Sequence, residues 1–529
     1  MNTPGCTGAT PWSALCRRLA ALLLLPVVTG CALVPPLSDQ ATPTEPQTHA
    51  QCRAWYAALD TSTLRHGVRD AGSTPIAGFP YLRVDRFTAS LRDRLSDTAV
   101  AGGAAAVRAA LMGRLLELDQ HARQFEIANL PQQARHDVGA TTDPQQLLQR
   151  TRMCGQMLVA ADLAAPASTD GMLRTLSVPD DYVTAYRVLG LYGLTRIPFL
   201  AGVRQWEAQT LERFGGIDAS GPTRARLQLA PAHRPQPHRV TRENLRQMVQ
   251  PAATDPLAIP APSREQLDTL FAHFAPEFDI GVQSDDDRPG MLFWPAAASD
   301  PARGEPPQVD SRQPVVYRHI AYTRFGQQNL LQLVYTLWFP ARAVSTQPID
   351  LLAGRLDGLV WRVTLSSDGE PLVYDSIHPC GCYHLFFPGP RVQALAPPDP
   401  HGEWAFSPRR VPALEPSQHL VLRIAPVTHY LEGLDVATAS RGAPYAWREY
   451  DSLRTLAAGA GRQRSIFDSA GFIAGTDRSE AWLFWPMGIQ RAGAMRQWGR
   501  HATAFVGRRH FDDARLMEQR FAPWAAPDN

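Results

Sequence analysis

Val315-Val316-Tyr317-Arg318-His319-Ile320-Ala321-Tyr322-Thr323-Arg324-Phe325 and, after a gap opened by Gly326, Leu330-Leu331-Gln332-Leu333-Val334-Tyr335-Thr336-Leu337-Trp338-Phe339 set the expected architecture. Both runs are rich in β-branched and aromatic residues, and turn-forming residues bound them, so they read as strands. Leu359 to Leu365 and Leu420 to Val427 carry the same signal. Together they predict a β-rich region that opens with a helix from Ser263 to Phe274 and closes with helical spacing from Arg491 to Arg520. Towards the N-terminus the pattern changes. Eight prolines between Pro222 and Pro262 make residues 215–262 read as an inter-domain strap, with one short helix at Arg242 to Gln250. Further back, Ala105-Val107-Leu111-Leu115-Leu118 and Leu147-Met153-Met157-Leu158 recur at i, i+3 and i+4, as amphipathic helices do. The expected class is therefore α+β. A helical domain over 51–214 and a Pro-rich linker over 215–262 precede a β-rich α+β domain over 263–529.

An aromatic-Pro ending recurs in Leu292-Phe293-Trp294-Pro295, Leu337-Trp338-Phe339-Pro340, Leu385-Phe386-Phe387-Pro388 and Leu483-Phe484-Trp485-Pro486. Its spacing invites comparison with a propeller repeat. The alternative is that several strands end in aromatics and stop at a Pro that cannot donate to a ladder.

The first residues carry an address. Arg17 and Arg18 precede a mostly apolar run, Leu19 to Gly30, too short to span a bilayer as a helix, and its closing small residues lead into Cys31. The junction Val28-Thr29-Gly30-Cys31 resembles the lipobox of bacterial lipoproteins. That resemblance implies a signal peptide over 1–30, cleavage before Cys31 and lipidation of that cysteine. Ala32, in place of the aspartate that favours inner-membrane retention in that family, implies an outer-membrane anchor facing the periplasm. Residues 31–50, rich in Pro, Thr, Ser and Gln, read as a flexible tether.

Composition narrows the chemistry. The chain has no lysine, which excludes a pyridoxal-phosphate Schiff base, a Walker-type phosphate lysine and a Ser-Lys hydrolase. Arg17 and Arg18 leave with the leader, and the remaining 50 arginines balance 50 carboxylates, with no basic run long enough for nucleic acid. Four cysteines other than Cys31 lie beyond the leader. Export to an oxidising compartment allows a disulfide between Cys52 and Cys154, closing a loop of about 100 residues.

The most unusual local sequence is Tyr374-Asp375-Ser376-Ile377-His378-Pro379-Cys380-Gly381-Cys382-Tyr383-His384. His378, Cys380, Cys382 and His384 alternate, but on a straight strand the two histidines would lie about 20 Å apart. A single zinc ion therefore needs Pro379 and Gly381 to fold the segment, with His319 or His429 as a distant further ligand. A second reading makes Cys380 or Cys382 a thiol nucleophile, with His378 or His384 as base, Asp375 as orienting carboxylate and Arg362 as anion clamp. A third leaves the cysteines as buried structural residues. Asp357, next to Gly358, could sit at a strand mouth but reads more readily as an exposed loop carboxylate, and His319 and Tyr322 fall on opposite faces of one strand, so that only one of them can face a shared cleft. Asp285-Asp286-Asp287 lacks the spacing of a calcium loop and reads as a solvated turn.

The functional expectation is a lipid-anchored envelope component whose aromatic-rich β domain binds a partner protein or an envelope glycan. The alternative is a metal- or thiol-dependent enzyme, with zinc as the candidate cofactor, centred on residues 378–384.

Overall fold

The computed structural model describes residues 47–96, 103–165, 167–216, 223–233, 240–295, 306–344 and 350–524. The leader, Cys31 and the tether up to residue 46 lie outside these. The body of the protein is one compact unit, His49–Asn529.

The N-terminal part is helical. It runs α1 (Gln47–Arg65), a hairpin of β1 (Thr74–Ile76) and β2 (Phe79–Val84), α2 (Arg86–Ser90), α3 (Gly103–Asn129), α4 (Gln132–Gly139), α5 (Pro144–Ala164), α6 (Ala167–Arg174), α7 (Thr184–Leu189) and α8 (Tyr192–Gly215). Helix α1 takes in the last four residues of the expected tether, 47–50. Local chemistry sets the other boundaries: Asp143 caps α5 by accepting the Gln145 N–H at 2.9 Å, with Pro144 as first helical residue. Val107, Leu111 and Leu115 of α3 are buried at helical spacing, packed with Leu147 and Leu158 of α5 and with Tyr81 and Leu82 of β2. Cys52 on α1 and Cys154 on α5 form a disulfide, with Cα atoms 5.1 Å apart.

The remainder is strand-rich, so the chain is α+β. In order follow β3 (Arg224–Leu229), α9 (Arg242–Val249), α10 (Arg264–His273), β4 (Glu277–Gly281), β5 (Met291–Phe293), β6 (Gln308–Asp310), β7 (Val315–Phe325), β8 (Gln328–Arg342), β9 (Gly354–Leu365), β10 (Pro371–Ile377), β11 (Leu385–Pro388) and β12 (Val392–Ala394). After these come β13 (His419–Ile424), β14 (Leu431–Ala437), β15 (Ala443–Glu449), β16 (Leu456–Ala457), β17 (Gln463–Arg464), α11 (Ala481–Phe484), α12 (Leu516–Arg520) and β18 (Phe521–Pro523). Ser263 and Gln266 form a reciprocal capping box that starts α10.

Ten strands make one mixed sheet in the order β11-β10-β9-β8-β7-β15-β3-β4-β13-β14. Strands β7 to β11 are an antiparallel meander, whereas β15 runs parallel to both of its neighbours. Residues Ala443–Tyr445 of β15 pair with β3, and Ala446–Glu449 pair with β7, so this one strand joins the two halves of the sheet. Strand β3 comes from residues 215–262, the stretch that reads as a strap.

Both faces of the meander are covered. Leu331, Leu333, Tyr335, Leu337 and Phe339 of β8 face a core shared with Leu245, Leu270 and Phe271 of α9 and α10. The alternate residues Leu330, Val334 and Trp338 face three smaller clusters, each completed by residues from beyond position 450, such as Leu453, Phe511 and Phe521. Burial on both faces is why β8 is buried from Asn329 to Phe339 without alternation. The coat on the second face is mostly turns: of the expected helix from Arg491 to Arg520 only Leu516–Arg520 forms. Glycines at positive φ, among them Gly493, Gly499 and Gly507, break any helical run there.

The four aromatic-Pro stretches are not equivalent. Pro340 sits inside β8 and does not stop it, Leu385 to Pro388 is the whole of β11, and Leu483 to Pro486 is helical.

Candidate functional site

The hairpin between β10 and β11 carries the residues singled out by the sequence. The Gly381 N–H donates to the His378 carbonyl at 2.8 Å and the His378 N–H to the Cys382 carbonyl at 3.0 Å, closing a tight turn. Gly381 takes φ +93°, and a Cβ there would lie 2.5 Å from the Ala502 carbonyl oxygen, so glycine is required twice over.

This turn separates the four proposed metal ligands instead of gathering them. His378 Nδ1 lies 3.2 Å from Asp357 Oδ1, whereas His384 Nε2 lies 3.0 Å from Asp375 Oδ2. The histidines thus turn to different carboxylates, one on β9 and one on β10. Among the described residues no group of three or more His, Cys, Asp or Glu is placed to hold a metal ion, so His378, Cys380, Cys382 and His384 form no common zinc site.

The thiol reading meets a similar obstacle. Cys380 is buried and Cys382 partly so. A hydrogen bond with Cys380, then burial, pushes the Cys382 thiol well above its usual range, the opposite of activation. Asp375 orients no thiol. It takes Arg362 Nε at 2.9 Å and Nη2 at 2.5 Å, a cross-strand pair fixed by the register Asp375↔Arg362. Arg362 gives its remaining Nη1 to the Phe511 carbonyl and lies 3.7 Å over that ring. Fully enclosed, it cannot clamp an anion from solution. Burial would raise the Asp375 carboxyl, but Arg362 and His384 hold it below its ordinary value, and burial drives His384 down to about 3.

Asp357 is likewise no loop carboxylate. It lies in β9, is 2 % exposed, and holds His378 on one oxygen and His429 Nδ1 at 2.9 Å on the other. His429 stacks on Phe339 at 3.9 Å and places Nε2 3.3 Å from Asp287 Oδ1. Asp287 differs from its exposed neighbour Asp285: it is buried and accepts N–H bonds from Gln283, Ser284 and Val427 at 2.7, 3.0 and 2.6 Å. Burial opposes the charge on Asp357, yet His378 and His429 hold its carboxyl well below the usual range. The sequence offered His429 only as a distant metal ligand. Its use here is to tie the β13–β14 turn to β9.

An open cleft lies elsewhere, between α3, α10 and β7, with a volume of about 650 Å³. Its origin is the short reach of β15, which pairs with β7 only through Val315–Arg318. The Ala446 N–H bonds to the Pro314 carbonyl, and further along the Arg324 N–H bonds to the Ala514 carbonyl at 2.6 Å. Even-numbered residues of β7 therefore turn their backbone polar groups away from β8. Between these two fixed points the peptide groups of Ile320 and Tyr322 face the cleft as a short free edge.

His319 and Tyr322 both line this cleft, although strand alternation puts them on opposite faces. A space that runs along the edge of a strand receives side chains from either face, and that resolves the difference. The His319 ring lies 4.6 Å from that of Tyr450 and 4.4 Å from that of Trp498, and neither ring nitrogen has a protein partner. Burial lowers it to about 3, so the imidazole is neutral. The charged walls are already paired. Arg318 holds Glu449 and Asp268, and Arg454 holds Asp70 through two bonds at 2.9 and 2.8 Å together with Asp451 at 2.9 Å. Behind Asp70, Arg83, Asp119, Arg123 and Glu126 make a buried ionic floor. Such a cleft presents aromatic surface, fixed charges and two backbone rungs, a set suited to holding an extended chain. Polar residues at 318, 319 and 322 in an apolar run are its one local signal, because the opposite walls lie some 50 and 200 residues earlier. Comparison with protein families, with characterised proteins and with solved structures found nothing that matches this chain.

Proposed function

We propose that this is a lipid-anchored protein of the outer membrane, facing the periplasm, which binds an extended polypeptide segment of a partner in the cleft beside β7. The observation that carries the reading is the free edge at Ile320 and Tyr322, held open inside a cleft between rigid walls. An added strand would gain backbone hydrogen bonds there, while His319, Phe271 and Trp498 would receive its side chains. The lipobox-like junction at Cys31 supports the anchoring half of the proposal, and the arginine–carboxylate balance of the remaining chain argues against a nucleic-acid ligand.

The test uses peptides selected from a random display library on the protein lacking its leader. Bound peptides should slow amide hydrogen exchange at Ile320 and Tyr322, and Ile320→Pro should weaken them at least about tenfold, since it removes an N–H that no strand of the sheet uses. Peptides methylated on alternate backbone nitrogens should lose affinity in the same way, without any change to the protein. Binding that leaves those two amides unprotected, or that tolerates both changes, would overturn the proposal.

A further inference from the structure

Val188, Leu189, Leu191, Leu194 and Ile197 are each more than 60 % exposed, and they cover the turn from α7 to α8. Beside them Trp482 is 87 % exposed and Leu483 is 52 % exposed on α11. The two elements are fastened together. Tyr186 meets Trp485 with ring centres 6.2 Å apart, Phe199 meets Phe484 at 5.4 Å, and the Val183 N–H bonds to the Gly488 carbonyl at 2.7 Å. Leu191, Leu194 and Ile197 recur every third residue, so one side of α8 is apolar and outward. Large exposed aliphatic and Trp side chains on adjoining rigid elements need an occupant.

Charge selects it. Residues 182–206 contain no Asp or Glu but carry Arg187, Arg196 and Arg204, and residues 481–511 contain no Asp or Glu either. Among the acids that flank these stretches, Glu480 is withdrawn from the patch by burial and Asp180 and Asp181 by pairing with Arg508 and Arg500, so apolar side chains with a Trp at the prow and arginines among them match the boundary between headgroups and acyl chains of an anionic bilayer. Among the described residues no helix is long and apolar enough to cross a membrane, so the fitting geometry is one that lies in the surface.

We propose that the α7–α8 turn and α11 form a membrane-dipping prow that seats the folded body on an anionic phospholipid surface, independently of any lipid on Cys31. The test uses the chain from residue 31 onward carrying Cys31→Ser, made without the leader, so that no acyl chain or apolar signal contributes. It should co-sediment with vesicles of phosphatidylethanolamine and phosphatidylglycerol, and several-fold less with vesicles of phosphatidylcholine alone. Adding Trp482→Ser, Leu189→Ser and Leu194→Ser should lower the vesicle partition coefficient at least about tenfold. Arg196→Glu should remove the preference for the anionic lipid. All these side chains are at the surface, so an unchanged melting midpoint certifies the fold. Failure to sediment, or sedimentation unaltered by the substitutions, would overturn the proposal. So would a dimer in vesicle-free solution that the same substitutions dissolve, since the occupant would then be a second copy of the chain.

Discussion

His319 is packed between Tyr450 and Trp498 and hydrogen-bonds to no protein group. Burial is the main cause of its lowered pKa. The charges that reach it are Asp451, which raises it, and His501, Arg362 and Arg454, which lower it. In the unfolded chain this imidazole takes a proton near pH 6.5, whereas in the folded protein it resists until about 3, so acid favours unfolding over that window. His319→Phe removes this term and keeps a flat ring in place. We therefore expect the variant to gain on the parent by about 1.4 kcal/mol for each pH unit below about 6.5, and to differ little in slope above it. Denaturant melts of both proteins at pH 7.5 and 4.5 measure the difference, and parallel losses would contradict the assignment. Because Glu480 is raised to about 7 and works in the opposite sense, the comparison is made between the two proteins and not on the parent alone.

Among the elements, α1 and α5 are held by Cys52–Cys154 across 102 residues of chain. Closing a loop of that size restricts the unfolded state, so replacing both cysteines with Ala should cost about 4 kcal/mol, read as a lower denaturant midpoint together with a steeper slope, because the unfolded chain without the cross-link is more expanded. A loss below about 1 kcal/mol would show that the helical core holds without the bond. Elements with their own periodicity were readable from sequence: the buried positions of α3, the long strands β7, β8 and β9, and the capped start of α10. The coat over residues 450–515 was not, because its turns owe their conformation to the sheet beneath and leave no repeat to detect. The same limit governed the sites. Gly381 announced a turn, but where His378 and His384 would point depended on Asp357 and Asp375, one of them on another strand. The cleft was hidden because β7 supplies only one of its walls.

At the scale of the whole molecule, the anchor and the prow are separate predictions. Growth with labelled palmitate should label the parent protein and leave Cys31→Ser unlabelled, and label retained by that variant would refute lipidation at Cys31. The proposed surface contact through Trp482 is untouched by either result.

The position of β15 in the sheet also dictates an order of assembly. It is the last of the ten strands to be synthesised, yet it fills the centre, between β3 and β7. Until residue 449 has emerged, the meander and the β3–β4–β13–β14 group remain two unjoined pieces, each with a long bare margin. A chain threaded N-terminus first into another compartment would thus arrive with these two margins bare and join its sheet only near its end. The waiting margin of β7 is continuous with the rungs at Ile320 and Tyr322 that stay open in the finished protein. The mature cleft is the part of a transient seam that never closes.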